Sequence, residues 1–315
     1  MTNTSKTIVF FGNERLATGV STDAPTLRRL IAAGYHIAAI VSHYSHGQSR
    51  NARPLEVSDI AAEYNIPVLL PDRLSDIRDN LASSNAIAGV LVAYGKMVPE
   101  SIINLFPRGI VNIHPSRLPA YRGPTPIESV ILEHEPETAV SLMQLTKEMD
   151  AGPLYAQQSI KLTGSESKQD LADTLLSIGG ELLEHHLPDI LEGRLTPTPQ
   201  SDTSATYCSL IMKSDGHIDW HKPSQRIADE IRAYAGWPGS RTTLGTIEVI
   251  ITKSHIDTVA RHDQPGKVTV LSPDSFVVQA GDGHRLVIDE LKPLGKNNMT
   301  ARSFLAGYRQ KISDS

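Results

Sequence analysis

The chain has 315 residues, 40% of them hydrophobic and 21% charged, and a formal net charge of −5. That balance excludes intrinsic disorder, a membrane-embedded protein and a simple basic nucleic-acid binder, so any polyanionic partner must be met by a local patch. The length exceeds the roughly 100–200 residues of a usual domain and predicts two domains, while the lone cysteine, Cys208, allows no internal disulfide and no thiolate zinc cage, as suits a reducing cytoplasm.

Met1, Thr2, Asn3, Thr4, Ser5 and Lys6 are polar and lead directly into an apolar run, so neither a signal peptide nor a spanning helix is expected. Strand-like apolar runs at 7–11, 36–41, 67–70, 86–93 and 109–113 alternate with helix-length segments at 26–33, 54–64 and 74–83. That alternation predicts an α/β domain built on a parallel sheet, and the uninterrupted Val90-Leu91-Val92-Ala93 reads as a central strand buried on both faces. Further strands are predicted at 138–145 and 154–162. An amphipathic helix follows over 168–192, with Leu171, Leu175, Leu176, Ile178, Leu182 and Leu183 on its buried side and Gly193 placed to end it.

Residues 196–206 are rich in Pro, Ser and Thr, break every periodicity and read as an interdomain linker between a first domain, 1–195, and a second, 207–315. In the second, Pro223 opens a helix that reaches Tyr234. Short strands at 246–252, 267–271, 275–280 and 285–291 then suggest a small β-barrel.

Asn112 and His114 stand two apart at the end of the 109–113 run, so they face one spot, at the carboxyl edge of a parallel sheet where ligands bind. A carboxamide donor and an imidazole that can be cationic suit the negative charge that develops on a carbonyl oxygen under attack. Periodicity leaves equally open that Asn112 caps a turn and His114 is a satisfied surface histidine. Asp150, in Met149-Asp150-Ala151-Gly152, could face the same crevice; on its own residues it reads more simply as a turn aspartate. Gly12-Asn13-Glu14-Arg15 has neither dinucleotide nor P-loop spacing, and His185 and His186 have no partner at metal-ligand spacing, so no metal site is expected.

Taken in order, Val92-Ala93-Tyr94-Gly95, Asn112-Ile113-His114-Pro115-Ser116-Arg117-Leu118-Pro119, Arg122-Gly123-Pro124-Thr125-Pro126-Ile127 and Met149-Asp150-Ala151-Gly152 closely resemble the 10-formyltetrahydrofolate-dependent formyltransferases. His217-Ile218-Asp219-Trp220, Arg232-Ala233, Trp237-Pro238 and Pro265-Gly266 are similar to the second domain of the branch that acts on methionyl-tRNA, so the resemblance spans the whole chain. It implies a Rossmann-like catalytic domain with a mostly parallel sheet, followed by a smaller OB-like β-barrel domain that binds tRNA. It also implies Asn112, His114 and Asp150 as the catalytic set. Val92, Ala93, Tyr94 and Gly95 with Ser116, Leu118 and Pro119 would form the 10-formyltetrahydrofolate site. Arg50 and Arg53, in the loop after the second strand, would meet an initiator methionyl-tRNA substrate. A cytoplasmic monomer with no membrane association is the expectation. The rival acceptor is an amino sugar nucleotide.

Three departures from the family pattern stand out. Ser116-Arg117-Leu118-Pro119 replaces Ser-Leu-Leu-Pro, Gly12-Asn13-Glu14 replaces Gly-Thr-Pro, and the loop from Ser42 to Arg53 is short and carries histidines in place of some cations. Residues 207–315 hold 14 Lys and Arg against 12 Asp and Glu, so the tail is the less acidic part, as a tRNA-holding domain should be.

Overall fold

The computed structural model describes residues 6–43, 55–257, 259, 261 and 263–312. Two compact units emerge: one from residues 1–127, 136–162 and 169–209, the other from 128–135, 163–168 and 210–315.

In chain order the first elements are β1 (Thr7–Gly12), α1 (Pro25–Ala32), β2 (His36–Val41), α2 (Val57–Tyr64), β3 (Val68–Leu69), α3 (Arg78–Ser83), β4 (Ala88–Val92), α4 (Glu100–Ile103), β5 (Ile110–His114), α5 (Pro126–Leu132), β6 (Glu137–Gln144), β7 (Leu154–Lys161) and α6 (Lys168–Glu192). Their strands form one sheet in the order β3-β2-β1-β4-β5-β6-β7. Strands β3 to β5 are parallel; β6 runs antiparallel to β5, and β7 to β6. The order reverses direction between β1 and β4, the crevice at which open α/β sheets take ligands.

Every residue of β1, β4 and β5 is buried, which is why their sequences show no period-2 alternation. Phe11 packs edge-on against Tyr94 and Phe106, with centroids 6.0 and 5.9 Å away. Truncating it to alanine should cost about 3–5 kcal/mol. The strand expected at 67–70 is only two residues long, and the helix expected at 74–83 opens as a 3-10 turn over Leu74–Ile77 before α3. The long helix has its expected bounds.

The second unit contains α7 (Ser224–Ala233), β8 (Ser240–Leu244), β9 (Ile247–Asp257), β10 (Val268–Ser272), β11 (Ser275–Gln279), β12 (Arg285–Pro293), β13 (Met299–Thr300) and α8 (Ala301–Ile312). Its sheet is antiparallel in the order β10-β11-β12-β9-β8, with β13 on β12. Register shifts between Ile288 and Leu291 mark bulges, which bend and twist a sheet. A core of Phe276, Leu286, Ile288, Leu291 and Phe304 fills its inner face. The unit also takes in Glu128 and Lys168, both fully buried, with Nζ 3.7 Å from the carboxylate. Among the described residues no helix is long and apolar enough to cross a membrane.

Candidate active site

The site begins where β1 and β4 end. Gly12 has φ +123°, and a Cβ there would stand 1.9 Å from the Val92 carbonyl oxygen, so only glycine lets these two strands finish side by side. Beyond β4, Ala93 (φ 51°) and Gly95 (φ 75°) turn the chain back on itself. His43 Nε2 donates to the Tyr94 carbonyl at 2.6 Å and its ring meets Tyr94 edge-on, which holds that turn in place.

Asn112 and His114 project from β5 on the same face, each 5% exposed. His114 Nε2 lies 3.0 Å from the Tyr121 carbonyl oxygen. A carbonyl only accepts, so Nε2 is the nitrogen that donates to it. Nδ1 faces Asp150 Oδ1 at 3.7 Å. That is longer than a direct hydrogen bond, so Nδ1 can also reach a third atom between them.

Asp150 arrives by an indirect route. Because β6 is antiparallel to β5, its last residue, Gln144, pairs with Val111, three residues short of His114. The following loop must travel back along the strand. Its ends are fastened by Gln144 N–H donating to the Pro153 carbonyl at 2.8 Å, and a Cβ on Gly152 would stand 1.8 Å from the Gln144 oxygen. Asp150 itself has φ 48°, a left-handed conformation that costs a side-chain-bearing residue roughly 1–3 kcal/mol unless its surroundings impose it. Gly123 N–H donates to its Oδ2 at 2.9 Å, and the Gln200 carboxamide donates to its carbonyl at 2.8 Å.

A cavity of about 290 Å³ opens on Asn112, His114 and Asp150. Ala93, Tyr94 and Gly95 form one wall; Leu16, Leu91, Met97, Val98, Leu145 and Met149 give it an apolar lining, and Arg15, Gly123, Pro124 and Glu148 are among the residues that line the rest. The structure therefore brings together six of the residues singled out in the sequence. Val92, Ser116, Leu118 and Pro119 lie outside the lining. Ser116 instead closes the loop after β5, its Oγ donating to the Ala120 carbonyl at 2.7 Å, and Leu118 is tied to β6 and β7 through Ser141 and Gln157. Arg50 and Arg53 lie outside the described residues.

Two departures from the resemblance now have a place. Arg117 is not in the cavity wall; its half-exposed guanidinium pairs with Glu137. Glu14 is 1% exposed and its carboxylate accepts from the amides of Thr26 and Leu27, at 2.8 and 2.7 Å, at the start of α1. Burial pushes the Glu14 carboxyl up to about 7 in spite of those two bonds. Arg15, next in the chain, reaches the cavity and pairs with Glu56 at 2.7 Å.

Sequence reasoning missed Arg122 as a buried cation and missed Gln200 altogether. Arg122 is 2% exposed. Its guanidinium donates to Gln200 Oε1, Tyr207 Oη and Asp202, each at 3.0–3.1 Å. Nothing in the composition of 196–206 signals this. Among the described residues no group of three or more His, Cys, Asp or Glu is arranged to hold a metal ion.

Comparison with known proteins adds the following. The family described as "Formyl transferase" matches residues 26–187, and "Formyl transferase, C-terminal domain" matches residues 210–309. The chain is 30% identical over 309 residues to methionyl-tRNA formyltransferase of Staphylococcus aureus (strain MW2), covering 97% of each chain. Among solved structures it resembles the N-formyltransferase from Helicobacter canadensis in complex with folinic acid and dTDP-3-aminofucose, with a TM-score of 0.67 at 19% identity over 90% of this chain and 98% of that one. It also resembles HypX from Aquifex aeolicus in complex with tetrahydrofolic acid, with a TM-score of 0.63 at 16% identity over 97% of this chain. The chain spans about half the length of HypX, 48%. At these identities the structural likenesses establish the fold.

Proposed function

The chain belongs to the formyl transferase family, and we propose that it transfers the formyl group of 10-formyltetrahydrofolate to the α-amino group of methionyl-initiator tRNA. The observation that carries this reading is the convergence of Asn112, His114 and Asp150 on one cavity, in a chain similar along 97% of its length to a methionyl-tRNA formyltransferase.

The cavity fits a folate. Its walls combine apolar residues, Leu91, Val98 and Leu145, with the turns at 93–95 and 148–150, which suits a flat heteroaromatic ring with a hydrogen-bonding edge. When bound, the folate supplies an electrophilic formyl carbon. Attack on that carbon by the α-amine forms a C–N bond and sends negative charge to the formyl oxygen. The Asn112 carboxamide and His114, protonated at Nδ1, stabilise that charge in a site where water screens little. Asp150 accepts the proton that leaves the amine, while its carboxylate keeps His114 oriented. The bond from the formyl carbon to the folate nitrogen then breaks, and a proton returns to that nitrogen.

In this reading residues 210–315 hold the RNA, Arg50 and Arg53 meet its phosphates, and the protein works as a cytoplasmic monomer. The second acceptor class, an amino sugar nucleotide, is favoured by structural likenesses to sugar N-formyltransferases, which stand at 13–19% identity. Incubating the chain with 10-formyltetrahydrofolate and either methionyl-tRNA or a dTDP-linked amino sugar decides between them. Formyl transfer to the RNA alone is the expected outcome, and transfer to the sugar alone would overturn the proposal.

A further inference from the structure

We infer that Gln200 and Arg122 form a clamp that positions Asp150 and thereby sets the rate of the chemical step; the inference rests on the formyl-transfer reading above. The Gln200 carboxamide is bonded on both sides. Its Nε2 donates to the carbonyl oxygens of Asp150 and Gly152, at 2.8 and 2.7 Å. Its Oε1 accepts from two nitrogens of Arg122, at 3.1 and 3.0 Å. A carbonyl can only accept and a guanidinium can only donate, so a single orientation of the amide satisfies all four bonds.

Arg122 anchors the other end. Its remaining donors reach Tyr207 Oη and Asp202, both at 3.0 Å. One residue further along, Gly123 N–H holds the Asp150 carboxylate at 2.9 Å. Asp150 is therefore gripped at its carboxylate by Gly123 and at its carbonyl by Gln200, and the Arg122–Gln200 bonds tie the two grips together. The same stretch of chain braces the histidine. Thr206 accepts from Tyr121 N–H through its Oγ1 at 2.8 Å and from Arg122 N–H through its carbonyl at 2.9 Å, and the Tyr121 carbonyl is the partner of His114 Nε2.

Neither Gln200 nor Arg122 lines the cavity, so both are positioning residues. A buried guanidinium bonded to a half-buried amide does not hold a fold together better than apolar packing would. Here their bonds end on the turn where an aspartate stands at φ 48°, which is the conformation that needs imposing from outside.

The test is Gln200→Glu, nearly isosteric, which keeps the acceptor for Arg122 and turns two donors into an oxygen facing two carbonyl oxygens. With methionyl-tRNA and 10-formyltetrahydrofolate, kcat should fall on the order of 10²-fold, the loss that a misplacement of about 1 Å produces. KM for both substrates and the Kd of folinic acid should stay within about threefold, and Tm within about 3 °C. On an Asp150→Asn background the same substitution should cost less than about threefold, since the clamp acts only through Asp150. Gln200→Asn keeps the amide but is too short to span both carbonyls. It should show the same loss confined to kcat, and it serves if Gln200→Glu does not fold. An unchanged kcat in either folded variant would overturn the clamp. So would a loss confined to Tm and KM, or one that multiplies in full on the Asp150→Asn background. Failure of the unaltered chain to formylate methionyl-tRNA removes the underlying reading, whereas full-rate transfer by Gln200→Glu removes the clamp alone.

Discussion

Among the described residues four histidine–aspartate pairs occur, and two of them, one in each unit, make an instructive contrast. In the first unit His114 and Asp150 are 6% and 15% exposed and their nearest polar atoms are 3.7 Å apart. In the second, His255 on β9 and Asp289 on β12 are 61% and 31% exposed and only 3.0 Å apart. By separation alone the second pair is the better one. It lies on the wet face of an antiparallel sheet, where water screens the charges and such a pair contributes little. The first lies beside a strand with every residue buried, with Asn112 two residues away and a cavity in front of it. Burial, a third group and an open space distinguish a pair that can do chemistry from one that decorates a surface.

The harshest way to probe that contrast is Asp150→Asn. The amide oxygen still accepts from Gly123, so the turn and folinic acid binding should persist. Formylation kcat should fall on the order of 10³-fold because the amide takes no proton. Near-normal turnover by the folded variant would place Asp150 with Asp289 among the bystanders. Next comes truncation. A chain ending at Ser209 keeps Gln200, Asp202, Thr206 and Tyr207, and should bind folinic acid as the full chain does. Its kcat/KM with methionyl-tRNA should drop about 10²-fold for want of distant phosphate contacts. Full activity with tRNA would show that residues 210–315 do not hold the substrate.

Replacing Arg50 and Arg53 together by alanine should weaken tRNA binding several-fold. It should also flatten the slope of log K against log salt by about 1–2, with folinic acid binding unchanged. An unaltered slope would take this loop off the RNA. A smaller effect concerns stability. The folded-state value of Glu14, about 7, stands above its ordinary 4.5, so the folded chain binds that proton more tightly than the unfolded one. This contribution is complete below about pH 4.5 and disappears as pH rises toward 7. Chemical denaturation across that window should find the wild type losing up to roughly 3 kcal/mol relative to Glu14→Gln. Parallel pH curves would mean the carboxylate is fully stabilised by Thr26 and Leu27. Least of all, Asp289→Asn should leave turnover within about twofold and stability within about 0.5 kcal/mol, the reach of an exposed pair.

Much of this was legible in the sequence where a local pattern carries it. Buried parallel strands lack alternation, which marks β1, β4 and β5; residues at i and i+2 share a face, which puts Asn112 and His114 side by side; and leucine periodicity with Gly193 bounds α6 at Lys168 and Glu192. Asp150 was reached through family resemblance, because its approach to His114 depends on a loop doubling back beside an antiparallel strand, which no periodicity encodes. Gln200 and Arg122 stayed hidden for a different reason. Their partners lie about 50 and 80 residues away, and a stretch of Pro, Ser and Thr looks the same whether it swings between domains or is stitched to one. Segment 196–206 had the composition of a linker, yet Gln200, Asp202 and Thr206 are bonded into the first unit.

The bond from the Gly123 amide to the Asp150 carboxylate also offers a spectroscopic handle. A backbone N–H exchanges its proton with solvent when its acceptor lets go, and here the acceptor is the Asp150 side chain instead of another peptide group. Deuterium uptake at that single amide therefore reports how often the carboxylate swings out of place. It does so in the resting protein, with no substrate present, and can be followed as folate or RNA is added.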